Sequence, residues 1–383
     1  MLPKNWREIE LADLSVKPIS YGIVQTGESI KKGVPCVRVV DLTASKIDFC
    51  KMITTSEEIS QSYKKTILEK GELMLALRGE IGLVRMVDEQ LAGCNLTRGI
   101  ARISPNTKMV LPEFLLWAIR SPLFRDDLLR RVNGSALQEI PIAELRKTIV
   151  PVPPLHEQKK IAEILVTWDE AIALTERAIE ASQRLKDSLM QNLFSVHDSD
   201  FCLLSGTWRN VQLGEIFELN YGKGLDRSKY DVSGDSKVIG TAGVIGNSFH
   251  FLSQGPSVIV GRKGSLDQPL YIGLNDKFWS IDTTYYVTSR EDMKFLYYLL
   301  KFIKLSRFNE STGVPSLNRN AVYGIKARIP DLDTQKKIVK ILDVADLQTQ
   351  KLQKLAGFYR KQKQGLMQKL LTGEWRVALQ EAA

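Results

Sequence analysis

Apolar or small residues recur in alternating steps of four and three through Ile161, Leu165, Trp168, Ile172, Thr175 and Ile179, with Leu189 farther along. The same rhythm returns through Ile338, Leu342, Ala345, Thr349, Leu352, Ala356 and Tyr359, and then Leu366 and Leu370. Such steps keep one stripe of a helix apolar, so the pattern predicts two long helices that pack together. Pro151, Pro153 and Pro154 stand before the first stripe, and Pro330, Asp331 and Asp333 before the second, where proline and acidic residues suit a helix start. Gly357 and Gly365 weaken the second helix and predict a kink. Elsewhere apolar residues come in short runs, such as residues 72–77 and 257–260, which predict buried strands. The predicted fold class is α/β, in the α+β sense, with two globular regions beside two long helices.

The helical segments are copies of one another. Gln158-Lys159-Lys160-Ile161 returns as Gln335-Lys336-Lys337-Ile338, Ile164-Leu165 as Ile341-Leu342, Asp169 as Asp346, and Leu189-Met190-Gln191 as Leu366-Met367-Gln368, always 177 residues later. Residues 155–194 thus align with 332–371 without a gap. A second echo, Trp6-Arg7 and Trp208-Arg209, has an offset of 202, and Trp375-Arg376 repeats the pair a third time. The order reads 1–150, globular; 151–198, helix; 199–330, globular; 331–383, helix and a segment returning toward the start of the first region.

Forty helical residues span ~60 Å at a rise of ~1.5 Å per residue. The second helix buries its stripe most simply by running back antiparallel along the first, which predicts a pseudo-two-fold arrangement with globular regions at opposite ends. Charge agrees, since the first segment holds five basic and seven acidic residues and the second nine and three.

The chain has 383 residues, 44% apolar and 25% charged, as in globular proteins. Its start lacks a signal-peptide core, and its most apolar stretch, residues 295–305, is broken by Lys301 and Lys304, so a cytoplasmic protein is expected. Cys36, Cys50, Cys94 and Cys202 lie far from His156, His197 and His250 in the sequence, which predicts free thiols and no metal site. A net charge of +9 favours a polyanionic partner.

The two strand-like runs end in glycine-rich turns, Arg78-Gly79-Glu80-Ile81-Gly82 and Gly261-Arg262-Lys263-Gly264-Ser265. Such a turn lets a backbone approach nucleic acid closely, and arginine can read guanine in the major groove. Downstream, Asn95, Thr97 and Arg98 match Thr283, Thr284 and Tyr285 in spacing, and are expected to offer side chains on a strand. Each globular region then has a polar loop, with Ser135 and Gln138 in the first and Ser316, Asn318 and Arg319 in the second. Lys31, Tyr221 and Lys223 add basic and aromatic loop positions.

No phosphate-binding loop, dinucleotide fingerprint or amino-methyltransferase motif occurs, so no catalytic residue is expected. Glu157-Gln158-Lys159 imitates half of a nuclease motif, but it opens a helix, where a carboxylate suits the dipole, and its copy is Thr334-Gln335-Lys336. His156 reads as an exposed residue at that helix start.

Several motifs are specific: Pro-x-Pro-Pro-Leu-x-Glu-Gln-x-x-Ile-Ala at 151–162, its echo at 329–339, Leu-Met-Gln-x-Leu at 189–193 and 366–370, and Gly261-Arg262-x-Gly264-Ser265. With these the whole chain resembles the specificity subunit of type I restriction-modification enzymes. The first turn departs from that pattern, lacking the serine and carrying Glu80. The resemblance implies two target-recognition domains, each reading half of a bipartite, asymmetric double-stranded DNA target. It further implies helices that set the gap and dock two methyltransferase subunits, with restriction-translocase subunits joining them. S-adenosylmethionine, ATP and magnesium would belong to those partners and no cofactor to this chain. A coiled-coil adaptor that binds only protein is the other reading of the repeat, and no membrane association is expected.

Overall fold

The computed structural model describes residues 2–44, 47–132, 138–195 and 206–377. The chain forms two compact units, Met1–Thr175 with Leu355–Ala383, and Glu176–Lys354. The long helices, Leu155–Phe194 and Leu332–Leu371, are therefore each divided between units instead of forming segments of their own.

The two units share their main strand pairings, the second adding Ser253–Gln254 to the sheet that has three strands in the first. In the first, strand Arg7–Glu10 pairs antiparallel with Ile149–Val152 just before the long helix. A four-stranded antiparallel sheet runs in the order Ser20–Tyr21, Ile100–Ile103, Leu73–Ala76, Val84–Met86. Beside it, Val34–Val37 pairs antiparallel with Ile53–Thr55 and parallel with Asn95–Leu96. In the second unit, Trp208–Gln212 pairs with Lys326–Pro330, and the corresponding sheet runs Phe217–Tyr221, Thr284–Ser289, Ser257–Gly261, Leu270–Ile272. Ser236–Gly240 likewise has an antiparallel neighbour, Gly243–Ser248, and a parallel one, Lys277–Ser280. The echo at Trp6-Arg7 and Trp208-Arg209 thus marks equivalent first strands.

The repeated glutamine explains why the helix motif occurs twice. Gln158 is fully buried: its Nε2 donates to the carbonyls of Pro153 (2.8 Å) and Met109 (2.9 Å), and its Oε1 accepts from Leu111 N (2.7 Å), at the start of helix Pro112–Arg120. Gln335 does the same in the second unit. It donates to Pro330 O (2.9 Å) and Glu291 Oε2 (2.7 Å) and accepts from Asp292 N (3.0 Å), at the start of helix Met293–Ile303. One side chain thereby satisfies a helix-start donor and ties it to the long helix. Glu157 beside it is also buried, held by Arg376 and, at 3.4 Å, by the Trp6 indole, whereas His156 is exposed.

Within each unit the two long helices run antiparallel. Trp168 meets Tyr359 edge to face in the first unit, and Ser182 and Thr349 share a buried hydrogen bond of 2.8 Å in the second. Asp169 pairs with Lys363 and Asp346 with Lys186, residues that are equivalent in the 177-residue repeat, so the same ion pair is made once in each unit. Ile161, Leu165, Ile338, Leu342 and Leu370 are buried, while Trp168, Ile172, Ile179, Leu189, Leu352, Tyr359 and Leu366 are partly buried. The second helix runs unbroken through Gly357 and Gly365, which lie on its open side with nothing within 4 Å of a Cβ there.

The return segment closes on the first unit. Leu370 and Leu371 enter its core with Trp6, and Val377 and Leu2 pack on it. Gly373, at φ +74°, passes so close to Pro3 that a Cβ there would lie 2.4 Å from the ring.

Cys36 and Cys94 are buried in the first unit, and burial, the dominant cause, pushes both thiols from an ordinary value near 9 up to about 11. The folded unit therefore holds these protons more tightly than the unfolded chain does, so this contribution is intact below pH 9 and is lost as pH rises toward 11. We expect both to resist iodoacetamide at pH 8, read by peptide mass spectrometry. Denaturant midpoints should fall from pH 9 to 11 less steeply in a Cys36→Ala/Cys94→Ala variant.

Candidate nucleic-acid interface

In the second unit three separate segments meet at one tyrosine. Tyr221 ends the sheet's edge strand Phe217–Tyr221 and is half exposed. The Arg262 guanidinium lies 5.5 Å from its ring centroid and that of Arg319 lies 5.2 Å away. A guanidinium stacked on an aromatic face keeps its in-plane donors free for an acceptor edge. Tyr285 supports this stack from inside: it is buried, its ring meets Tyr221 at 5.1 Å, and its hydroxyl donates to Leu317 O. Burial, reinforced by the Tyr221 hydroxyl, pushes the Tyr285 phenol up to about 12, so it remains a neutral donor.

The arginine turn is fixed by its backbone. Arg262 N and Lys263 N both donate to Thr283 O, Arg262 O accepts from Leu317 N, and Gly264 N donates to Pro315 O. Lys263 bridges to Ser316, and Gly264 turns the chain at φ +93°. Gly261 has no room for a side chain, because a Cβ would lie 2.1 Å from Ser265 O. Lys263, Lys223 and Asn318 are exposed, Ser265 and Ser316 half-buried. Asn318 caps helix Arg319–Tyr323, accepting from Asn320 N.

The same hydrogen bonds recur in the first unit and set the register between the two turns. Leu77 N donates to Gly99 O, Leu77 O accepts from Ile140 N, and residues 78 and 139 face each other across an isolated antiparallel backbone β-bridge. Arg78-Gly79, with Gly79 at φ +69°, therefore matches Lys263-Gly264, and the place of Arg262 is taken by buried Leu77. The place of Arg319 falls on Ile142. Around the equivalent Tyr21 lie Leu77, Ile142, Pro141, Glu139 and Arg98 instead of two arginines. The units thus offer different chemistry at one structural position.

Tyr21 was not among the positions singled out from the sequence, although Tyr21-Gly22 recurs as Tyr221-Gly222. Both glycines are required, since a Cβ would lie 2.1 Å from Leu96 O in one and 2.0 Å from Ile281 O in the other.

Three expected contact residues are interior supports. Asn95 is fully buried, hydrogen-bonded to Thr66 and Ser60, and Thr284 is fully buried against Ser280 and Ile281 O. Tyr285 is the third. Thr97 is half-buried and donates to Val37 O, and Thr283 acts through its carbonyl. Arg98 and Gln138 are exposed, and Arg78 is half-buried. Lys31 is exposed on a different loop, before Val34–Val37. Ser135 lies outside the described residues. Among the described residues no group of three acidic, histidine or cysteine side chains is placed to hold a metal, and no helix is long and apolar enough to cross a membrane.

Two copies of one α/β topology, each with a basic glycine turn beside an exposed tyrosine, define a protein of the DNA-specificity class. Residues 3–182 and 205–356 match the type I restriction modification DNA specificity domain, and the chain belongs to that family of DNA-sequence specificity subunits. It is 24% identical to the putative type I restriction enzyme MjaX specificity subunit of Methanocaldococcus jannaschii, over 98% of this chain and 95% of that one. It is 27% identical to the Escherichia coli EcoBI specificity subunit over 200 residues, 51% of this chain but only 42% of that relative. The fold matches the crystal structure of a type I restriction-modification S subunit from M. genitalium with a TM-score of 0.64 at 18% identity, covering 97% and 98% of the two chains. It also matches a chain from a solved type I system, with a TM-score of 0.65 at 18% identity, covering 98% and 100%.

Proposed function

We propose that this chain is the non-catalytic subunit that selects a bipartite, asymmetric duplex DNA target for a type I restriction-modification complex in the cytoplasm. The observation that carries this reading is the Arg262–Tyr221–Arg319 stack, assembled from three segments whose backbones are held by hydrogen bonds. Arginine forks of this kind suit the guanine O6 and N7 acceptors. The first unit has no equivalent stack, and there Arg78, Arg98 and Tyr21 read a different half-site. Lys31, Lys223, Lys263, Gln138, Ser265, Ser316 and Asn318 supply polar and phosphate contacts around them, with Ser135 proposed from sequence alone. The long helices dock two methyltransferase subunits and set the gap between half-sites. Restriction-translocase subunits join that core. S-adenosylmethionine, ATP and magnesium are bound by those partners and this chain holds no cofactor.

The test is to co-purify the chain with its methyltransferase subunits and map adenine methylation on genomic DNA by long-read sequencing. A two-part motif with a fixed gap is expected. A stable complex that leaves no sequence-specific mark would support the protein-only adaptor instead. Inserting four residues into each long helix, near Thr175 and Ala356, adds ~6 Å. The gap is expected to change by one or two base pairs, by the order of ~3.4 Å per pair, with both half-site sequences unchanged. Altered half-site letters would exclude a spacing role.

A further inference from the structure

A hairpin in the second unit leaves two neighbouring aliphatic side chains outside the core. Strand Ser236–Gly240 returns through Thr241 and Ala242 into edge strand Gly243–Ser248, with Gly243 at φ +113°. Val238 pairs with Gly246 and Ile239 with Val244, so Ile245 is an extra residue that forms a β-bulge. In a regular strand Val244 and Ile245 would face opposite sides of the sheet. The bulge re-aims them, and they are 52% and 47% exposed. Adjacent bare aliphatics on an edge strand invite aggregation, so this arrangement calls for an occupant.

Its place in the fold says which. Thr241 Oγ1 lies 3.4 Å from the position a Cβ on Gly264 would take, which sets the hairpin turn against the arginine turn. Ile245 and Ile281 both come within about 3.4 Å of the Cβ position of Gly240, and Ile281 stands two residues before Thr283, whose carbonyl holds Arg262 and Lys263, with the exposed Asp282 between them. The aliphatic pair therefore continues the surface that carries the cationic turn. A two-stranded ribbon fits a major groove about 12 Å wide, where the thymine methyl is the apolar feature on offer. The first unit differs here too: Val39, at the start of the short helix Val39–Thr43, occupies the place beside Gly79.

We propose that Val244 and Ile245 are specificity-determining residues that read thymine methyl groups in the major groove, beside the bases contacted from the Arg262 turn. This inference rests on the DNA-reading role proposed above. The test uses the full chain in complex with its methyltransferase subunits and duplexes in which each target thymine is replaced in turn by deoxyuridine, which removes only the methyl.

With the wild-type chain, methylation at subsaturating DNA is expected to fall about 3–10-fold at one or two thymines of a single half-site, the scale of one or two apolar groups buried. A Val244→Ala/Ile245→Ala variant should lose that sensitivity and keep the same gap. Wild-type indifference at every thymine overturns the inference, as does sensitivity that persists in the variant. So does a folded variant that no longer co-purifies with the methyltransferase subunits, which would make the hairpin a protein contact. The deoxyuridine scan of the wild-type chain stands even if the variant fails to fold. Failure of the DNA-reading role itself is distinguishable, because target and scrambled duplexes would then be methylated equally.

Discussion

Replacing Arg262 by alanine is expected to weaken methylation or binding of the cognate duplex by roughly 10–100-fold, the scale of one bidentate arginine-base contact, and to relax one half-site at a single position. The fold should be undisturbed, because the turn is held by the backbone bonds of Arg262 N and O, Lys263 N and Gly264 N, none of which needs the guanidinium. Assembly with methyltransferase subunits should also be unchanged. Arg262→Lys keeps the charge but loses the planar fork, so it should recover salt-dependent affinity without recovering selectivity. A uniform loss across cognate and scrambled duplexes, with a salt slope reduced by about one, would reassign Arg262 to a phosphate. Because Arg319 shares the Tyr221 ring, Arg262→Ala and Arg319→Ala should be non-additive, and Tyr221→Leu should weaken both effects.

The long helices were legible because the same residues perform the same task twice. Gln158 and Gln335 make equivalent bonds, and Asp169–Lys363 and Asp346–Lys186 are one pair drawn from repeat-related positions, so register survives in the sequence. The recognition surface was legible only in part. The two turns were recognisable as alike, but only backbone hydrogen bonds and the positive-φ glycines set Arg78 against Lys263 and leave Leu77 at the place of Arg262. Residue identity is a poor guide where the two units have diverged in side chain but not in ladder.

Asn95 and Thr284 misled for a different reason. Short strands offer no periodicity from which to tell an inward polar residue from an outward one, and both find internal partners. Tyr21 could have been found from the repeated Tyr-Gly pair, whose glycine is dictated by a neighbouring carbonyl. The exposed pair at Val244 and Ile245 could not, since two adjacent aliphatics read equally as a buried strand and only the pairing register shows the extra residue.

Replacing Gln335 by leucine is expected to destabilise the second unit by about 3–5 kcal/mol, the sum of three lost hydrogen bonds and of partners left buried without replacement. Asp292 N is one such partner, and it begins the helix that carries much of that unit's core. For a unit of this size the loss corresponds to a thermal midpoint lower by roughly 6–20 °C. Gln335→Glu discriminates between shape and chemistry. It retains an acceptor for Asp292 N, but it sets a carboxylate against Pro330 O and against Glu291, which is already paired with Arg209. Glutamate should therefore be no better than leucine at neutral pH and should improve as pH falls through the carboxylate range. The first unit should be spared, so hydrogen exchange is expected to rise around residues 292–303 and not around 112–120, and Gln158→Leu should give the opposite pattern. Equal loosening of both regions by either substitution would mean that the units unfold as one, and the glutamines would then report a single global transition instead of two local ones.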